Sequence, residues 1–198
     1  MSIFLPAPLV LASTSRYRRA QLERLGLEFE SVAPPIEESD ILADGPRSTV
    51  ALRAAFKACA VQELPGYEGA LIIGADQGVV LAGLDGIERL LGKPGTPEAA
   101  VEQLMTLAGR THELFTAVAL ALPGGRLLEA HEVVQVTMRN FAEDEARDIV
   151  LRDETWDCAG AYKIEAGGPW LMDRVTCEDP TAIEGLPLMA LGRLLRQA

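Results

Sequence analysis

Pro8 to Ala12 (PLVLA) is an unbroken apolar run, the pattern of a strand covered on both faces. The apolar stretch begins at Ile3, but no positive charge precedes it and two prolines interrupt it, so it reads as a strand and not a leader. It gives way to Ser13-Thr14-Ser15, three N-capping side chains, then to Arg16–Leu25 with Leu22 and Leu25 at helical spacing and Gly26 as the stop. A short strand over Glu28–Ala33 breaks at Pro34-Pro35 and leaves the acidic loop Glu37-Glu38-Ser39-Asp40. The alanine-rich stretch Thr49–Glu63 predicts a helix, and Leu71–Ala75 (LIIGA) predicts a second buried strand that ends at Asp76-Gln77. Val79–Leu91 reads as a hairpin about Gly83–Gly86, and Pro97–Leu107 as a helix. Two long β-rich runs, Leu114–Leu122 and Leu127–Met138, are joined by Pro123-Gly124-Gly125, a hairpin turn. A helix over Ala142–Arg152, a strand over Trp170–Val175 and a helix over Leu186–Arg196 complete the chain. Strands and helices interleave without repeat or linker. The expected fold is α/β, a mixed β-sheet flanked by helices, as one domain over residues 1–198 that is open to division into two lobes about a central cleft.

Composition narrows the function. The chain has 198 residues, 48% apolar and 24% charged, enough to bury a sizeable core. Eighteen basic residues against 29 acidic ones give a net charge of −11, and only 5% of residues are aromatic. Both features argue against a nucleic-acid partner, whose footprint is basic and often aromatic. They also set a condition: an anionic small substrate must be met by a local basic cluster working against the overall field. Cys59, Cys158 and Cys177 are odd in number and form no CxxC, so a reducing, cytoplasmic setting is expected. No run approaches the roughly 20 apolar residues of a membrane span, and no membrane association is expected.

Two nucleotide motifs fail on inspection. Neither buried strand is followed by GxGxxG, and Gly86–Lys93 (GIERLLGK) misses the Walker A spacing by one residue and has Pro94 where a metal-binding hydroxyl belongs. The third candidate is the opening turn. Ser13-Thr14-Ser15-Arg16-Tyr17-Arg18-Arg19 sets three hydroxyls and three guanidiniums at a helix start, where backbone N–H groups already favour an anion. A solvated basic helix face with Ser15 as a simple N-cap is the competing reading. Asp76 follows an apolar strand directly, and strand ends are where α/β sheets place ligands, so its carboxylate is a candidate for holding a hard cation or taking a proton from water. Glu37, Glu38 and Asp40 on their own read as a solvated loop. Only three of the 18 basic residues are lysine, at 57, 93 and 163, in a chain that otherwise uses arginine. That sparing use suggests a need for a compact ammonium at those places, with codon drift as the plain alternative. His112 and His131 have no zinc spacing and read as core or edge residues.

Taken in order, Ala12-Ser13-Thr14-Ser15-Arg16-Tyr17-Arg18-Arg19, Ile36-Glu37-Glu38, Lys57, Gly74-Ala75-Asp76-Gln77, Gly92-Lys93-Pro94, Ala159-Gly160-Ala161-Tyr162-Lys163-Ile164-Glu165 and Gly185-Leu186-Pro187-Leu188 resemble the motifs of the Maf family of nucleoside triphosphate pyrophosphatases, first associated with septum formation. All three lysines fall inside these blocks. Asp76-Gln77 and Lys163-x-Glu165 resemble the branch that acts on 7-methyl-GTP, whereas the dTTP/UTP branch usually has Asp-Thr and a glutamine there. Arg16 stands where proline is common, and Gly83–Leu91 is a few residues longer than usual. The resemblance implies hydrolysis between the α- and β-phosphates to a nucleoside monophosphate and pyrophosphate. It implies that Ser13, Arg18, Arg19, Lys57 and Lys93 bind the polyphosphate, and that Asp76 is the catalytic residue, either as proton acceptor for the attacking water or as the group that positions metal-bound hydroxide. Glu38 and Asp76 would hold Mg²⁺ or Mn²⁺, because hard cations choose carboxylate oxygens. Tyr17, Gln77 and Glu165 would select the base: N7-methylation makes guanine cationic, favouring an aromatic face and a carboxylate partner. The resemblance also implies a homodimer, for which the β-rich Leu114–Met138 stretch is a candidate interface. A dTTP/UTP pyrophosphatase, a house-cleaning enzyme for inosine-type nucleotides and a nucleotide-binding regulator of septum formation remain alternatives.

Overall fold

The computed structural model describes residues 5–198, so Ile3 and Phe4 lie outside it. Strand β1 (Leu9–Ala12) leads into helix α1 (Arg16–Glu23), then β2 (Glu30–Val32), α2 (Pro46–Gln62), β3 (Leu71–Ala82), β4 (Glu88–Leu91) and α3 (Pro97–Leu107). Then come β5 (Thr111–Ala121), β6 (Leu127–Met138), α4 (Glu143–Asp153), β7 (Met172–Thr176) and α5 (Leu188–Leu195). The strands form a seven-stranded sheet in the order β2-β1-β3-β5-β6-β7, with β4 paired to β3. β1 runs parallel to β2 and β3, while the β3–β4 and β6–β7 pairs are antiparallel. The mixed α/β architecture is thus the one the sequence pattern predicts.

The chain forms two compact units. The first takes residues up to Asp76 together with Thr116–Glu132 and Asp179–Ala198; the second takes Gln77–Phe115 and Val133–Glu178. In the first unit the sheet is covered on both faces, which is why β1 reads as continuously apolar. On one face Leu9, Leu11, Leu71 and Ile73 pack with Leu22 of α1 and Leu191 of α5. Each such fully buried leucine contributes about 1.5–3 kcal/mol. On the other face α2 presents Val50, Ala54, Lys57, Ala58 and Val61, a stripe at helical spacing. It comes close because residue 74 is glycine: a Cβ there would stand 2.1 Å from the Ala54 carbonyl oxygen and 2.7 Å from the Ala58 nitrogen.

Several boundaries differ from the sequence expectation for identifiable reasons. The second buried strand does not end at Ala75. It continues to Ala82, because Val79–Ala82 pair with Glu88–Leu91 across the Gly83–Gly86 turn. Asp76 therefore lies within a strand and not at a strand end, and the strand-mouth argument for it does not apply. β7 begins at Met172, not Trp170, because Gly168–Leu171 with Pro169 forms a 3-10 turn. α5 begins at Leu188, after Gly185 (φ +108°) and Pro187, neither of which is helical. The Pro123-Gly124-Gly125 turn is present, with Leu122 N–H donating to Arg126 O at 2.8 Å. β5 lies between β3 and β6, and its residues from Leu114 to Ala121 are almost all buried in the chain, which leaves little of that strand for an interface. No disulfide joins the cysteines. Among the described residues no helix is long and apolar enough to cross a membrane.

Candidate active site

The first unit gathers Ser13, Arg18, Glu38, Lys57 and Asp76. Strand alternation aims Gly74 and Asp76 toward α2, and the missing Cβ at 74 lets the helix lay Lys57 against Asp76. Lys57, 2% exposed, donates through Nζ to Asp76 Oδ1 at 2.8 Å and to the Ala75 carbonyl at 3.3 Å. Its third neighbour is Glu38 Oε1 at 2.9 Å, reaching in from the 3-10 turn Glu38–Asp40. One ammonium thus bridges two carboxylates, and Asp76 is itself 5% exposed. The loop that looked merely solvated has one member, Glu38, in the cluster.

The serine turn works as a built cap. Ser13 Oγ accepts from Ser15 N–H at 3.1 Å, and Ser15, the N-cap of α1, accepts from Arg18 N–H at 3.4 Å. Both hydroxyls keep a proton to donate. Arg18 is aimed by a distant segment: its Nε donates to the Gly185 carbonyl at 2.9 Å, which leaves Nη2 at 4.0 Å from Asp76 Oδ1. Gln21, one turn further, donates to Thr181 O at 2.8 Å and Leu186 O at 3.2 Å. Buried Asp179 fastens that carbonyl ledge by accepting from Thr181 N–H at 3.0 Å and from Met189 N–H at 2.8 Å. Sequence reasoning missed this part, although Asp179-Pro180 is a recognisable cap signal. Gly185–Leu188 thus serves as a positioning segment for Arg18.

Tyr17 lies in the first turn of α1, with the Arg16 guanidinium 4.8 Å from its ring centroid and donating to its hydroxyl at 2.7 Å. One face of the ring is therefore covered by a cation. Arg19, in the same turn, is exposed.

Gln77, Lys93 and Glu165 belong to the second unit. Gln77 is half-buried in β3, while Lys93 and Glu165 are exposed. Lys163 is buried and donates to the Asp153 carbonyl at 2.6 Å and the Glu154 carbonyl at 2.9 Å, the last carbonyls of α4, where a cation suits the helix dipole. In this unit His112 of β5 lies with its Nε2 2.9 Å from the Tyr162 hydroxyl. Burial lowers the His112 pKa from 6.5 to about 4 and pushes that of Tyr162 up. His131 is exposed on β6.

An ammonium-bridged carboxylate pair beside a capped, arginine-bearing helix start is the arrangement of a protein that handles a polyanion with acid–base chemistry. The fold agrees. A HAM1 protein from Coxiella burnetii superposes with a TM-score of 0.53 at 17% identity, over 97% of this chain and all of that one. At the sequence level, the profile of the family described as Maf-like protein matches residues 8–198. A 7-methyl-GTP pyrophosphatase from Xanthomonas oryzae pv. oryzae is 44% identical over 191 residues, 96% of each chain. A 7-methyl-GTP pyrophosphatase from Burkholderia lata is likewise 44% identical over 198 residues, covering 98% of this chain and 90% of that one. The chain belongs to the Maf family.

Proposed function

We propose that this chain is a nucleoside triphosphate pyrophosphatase whose preferred substrate is 7-methyl-GTP. The observation that carries the reading is the Glu38–Lys57–Asp76 cluster with Arg18 beside it, in a chain 44% identical to 7-methyl-GTP pyrophosphatases. Water attacks the α-phosphorus, the bond from that phosphorus to the α–β bridging oxygen breaks, pyrophosphate leaves, and Asp76 takes the proton of the attacking water. Lys57 fixes Asp76 for that task, since a carboxylate tied to a buried ammonium and hedged by Arg18 has little rotational freedom. The Ser13 and Ser15 hydroxyls, Arg18, Arg19 and Lys93 meet the phosphates and offset charge developing on the leaving group.

The Glu38 and Asp76 carboxylates converge on one cation, the Lys57 ammonium, and both offer the hard oxygen donors a divalent ion takes. Mg²⁺ is characteristically held by one or two carboxylates plus substrate phosphates, and Mn²⁺ accepts the same donors, so Glu38 and Asp76 fit either ion. Among the described residues no cluster of three metal-binding side chains exists. When bound, the ion supplies charge neutralisation at the phosphoryl oxygens. Tyr17, Gln77 and Glu165 select the base.

Pyrophosphate release measured over 7-methyl-GTP, GTP, ITP, dTTP and UTP, with Mg²⁺ or Mn²⁺, tests the reading. The highest kcat/KM is expected for 7-methyl-GTP. A pyrimidine or inosine preference, or binding without turnover, would replace it with one of the alternatives.

A further inference from the structure

The second unit contains a buried polar pair that the reaction does not use. His112 is 2% exposed and Tyr162 4%. The imidazole and the phenol are tilted by 50° with ring centroids 5.7 Å apart, and Nε2 lies 2.9 Å from the hydroxyl oxygen. The other imidazole nitrogen, Nδ1, has no hydrogen-bond partner among the described residues. As a contribution to stability this is a poor use of space, because two apolar side chains of the same shape would leave no buried nitrogen unpaired. What the pair supplies is direction: one hydrogen bond fixes where the Tyr162 ring points.

Tyr162 sits at a place where direction matters. Gly160 (φ +83°) and Ala161 (φ +57°) are consecutive left-handed residues, and for alanine that conformation costs about 1–2 kcal/mol. Such strain persists only where the surroundings over-determine the backbone. Here three contacts do so. Gly160 lies tight under the Tyr162 ring, where a Cβ would stand 2.7 Å from Cε1 and 3.0 Å from Val79 Cγ2. Lys163 is pinned to the end of α4 and accepts at its own carbonyl from Gly168 N–H at 2.9 Å. His112 holds the tyrosine hydroxyl, the only polar atom of that ring. The next charged side chain along this strained turn is the exposed Glu165.

We propose that His112 is a positioning residue for base selection: through the Tyr162 hydroxyl it fixes the Ala159–Glu165 turn, and so the angle at which Glu165 meets the purine. This rests on the assignment of Glu165 to base recognition made above. Replacing His112→Phe keeps the ring and removes the hydrogen bond, whereas His112→Gln keeps a side-chain amide to bond the hydroxyl. In His112→Phe the kcat/KM ratio of 7-methyl-GTP over GTP is expected to fall about five-fold, the scale of one lost hydrogen bond, carried by KM for 7-methyl-GTP, with kcat on GTP within about two-fold of wild type. His112→Gln restores the ratio. Tyr162→Phe cuts the same bond from the other side and gives the same result should the histidine variant fail to fold. An unchanged ratio, including an equal loss on both substrates, overturns the proposal. If wild type itself shows no preference between the two nucleotides, the base assignment fails, and amide hydrogen exchange decides the positioning claim alone. Faster exchange confined to residues 159–165 in either variant upholds it, and unaltered exchange there overturns it.

Discussion

At the scale of single residues, the chemistry turns on what surrounds two carboxylates. Asp76 is nearly sealed, with Lys57 at 2.8 Å and Arg18 at 4.0 Å, so its environment is set by fixed cations and not by water. Asp76→Asn keeps the shape and removes the proton acceptor. Its kcat is expected to drop at least about 100-fold with the fold intact, as read by steady-state pyrophosphate release and circular dichroism. Glu165 is exposed, and the role proposed for it is of the opposite kind. A carboxylate facing a cationic purine makes charge-assisted hydrogen bonds about twice as strong as those of an amide. Glu165→Gln is therefore expected to lower the kcat/KM preference for 7-methyl-GTP over GTP and UTP while leaving GTP turnover near wild type, a comparison made on one plate. Lys57 and Arg18 stand out in the sequence because their residue types are rare for their setting, three lysines in an arginine-rich chain and three arginines beside a serine turn, whereas Asp76 stands out only through a strand-end argument that the length of β3 overturns. The Arg16 contact with the Tyr17 ring was not legible, because it depends on a side-chain rotamer and not on spacing.

At the scale of elements, the site depends on how closely α2 approaches β3. Gly74 permits the approach, and Ala54, Ala58 and Lys57 share the helix face that uses it. A methyl group at 74 must push the helix off the strand, since the nearest atoms are backbone and cannot rotate away. Gly74→Ala is expected to cost about 1–3 kcal/mol, seen as a fall of several degrees in Tm, and to reduce activity as Lys57 draws back from Asp76. Gly69→Ala, where an added Cβ meets nothing within 4 Å, serves as the control and should melt close to wild type. Element type and order were readable along the whole chain, and α3 is found where the pattern placed it, at Pro97–Leu107, because Thr96 caps it, Pro97 starts it and its apolar spacing is regular. The sequence pattern alone ends β3 too early, because Asp76-Gln77 resembles a strand exit. What carries the strand past them is pairing with β4, a non-local contact that no window of residues contains. The Asp179 and Gly185 ledge escaped for the same reason, since Arg18 and Gly185 are 167 residues apart.

At the scale of the molecule, both compact units contribute residues to the proposed reaction. The residues assigned to phosphate and proton transfer lie in the first, apart from Lys93, and of those assigned to the base Gln77 and Glu165 lie in the second and Tyr17 in the first. The second unit also holds the group whose protonation bears on the stability of the whole chain. His112 is an imidazole whose pKa burial lowers from 6.5 to about 4, with no neighbouring charge contributing to the shift. In the unfolded chain it titrates near its ordinary value, so between about pH 6.5 and 4 the unfolded state binds a proton that the folded state refuses. The unfolded state binding more protons means that stability rises with pH across this window. The contribution is fully present above pH 6.5 and is lost as the solution is acidified toward pH 4. At about 1.4 kcal/mol per unit, the loss is on the order of 3 kcal/mol. Urea unfolding of wild type and His112→Phe at pH 7.5, 6.0, 5.0 and 4.5 isolates this contribution, because the carboxylates that titrate in both proteins cancel in the difference. Wild type should lose stability faster than the variant as pH falls, with the divergence beginning near pH 6.5. Parallel curves would mean that the folded imidazole titrates as it does in the unfolded chain, so that burial beside Tyr162 does not keep it neutral.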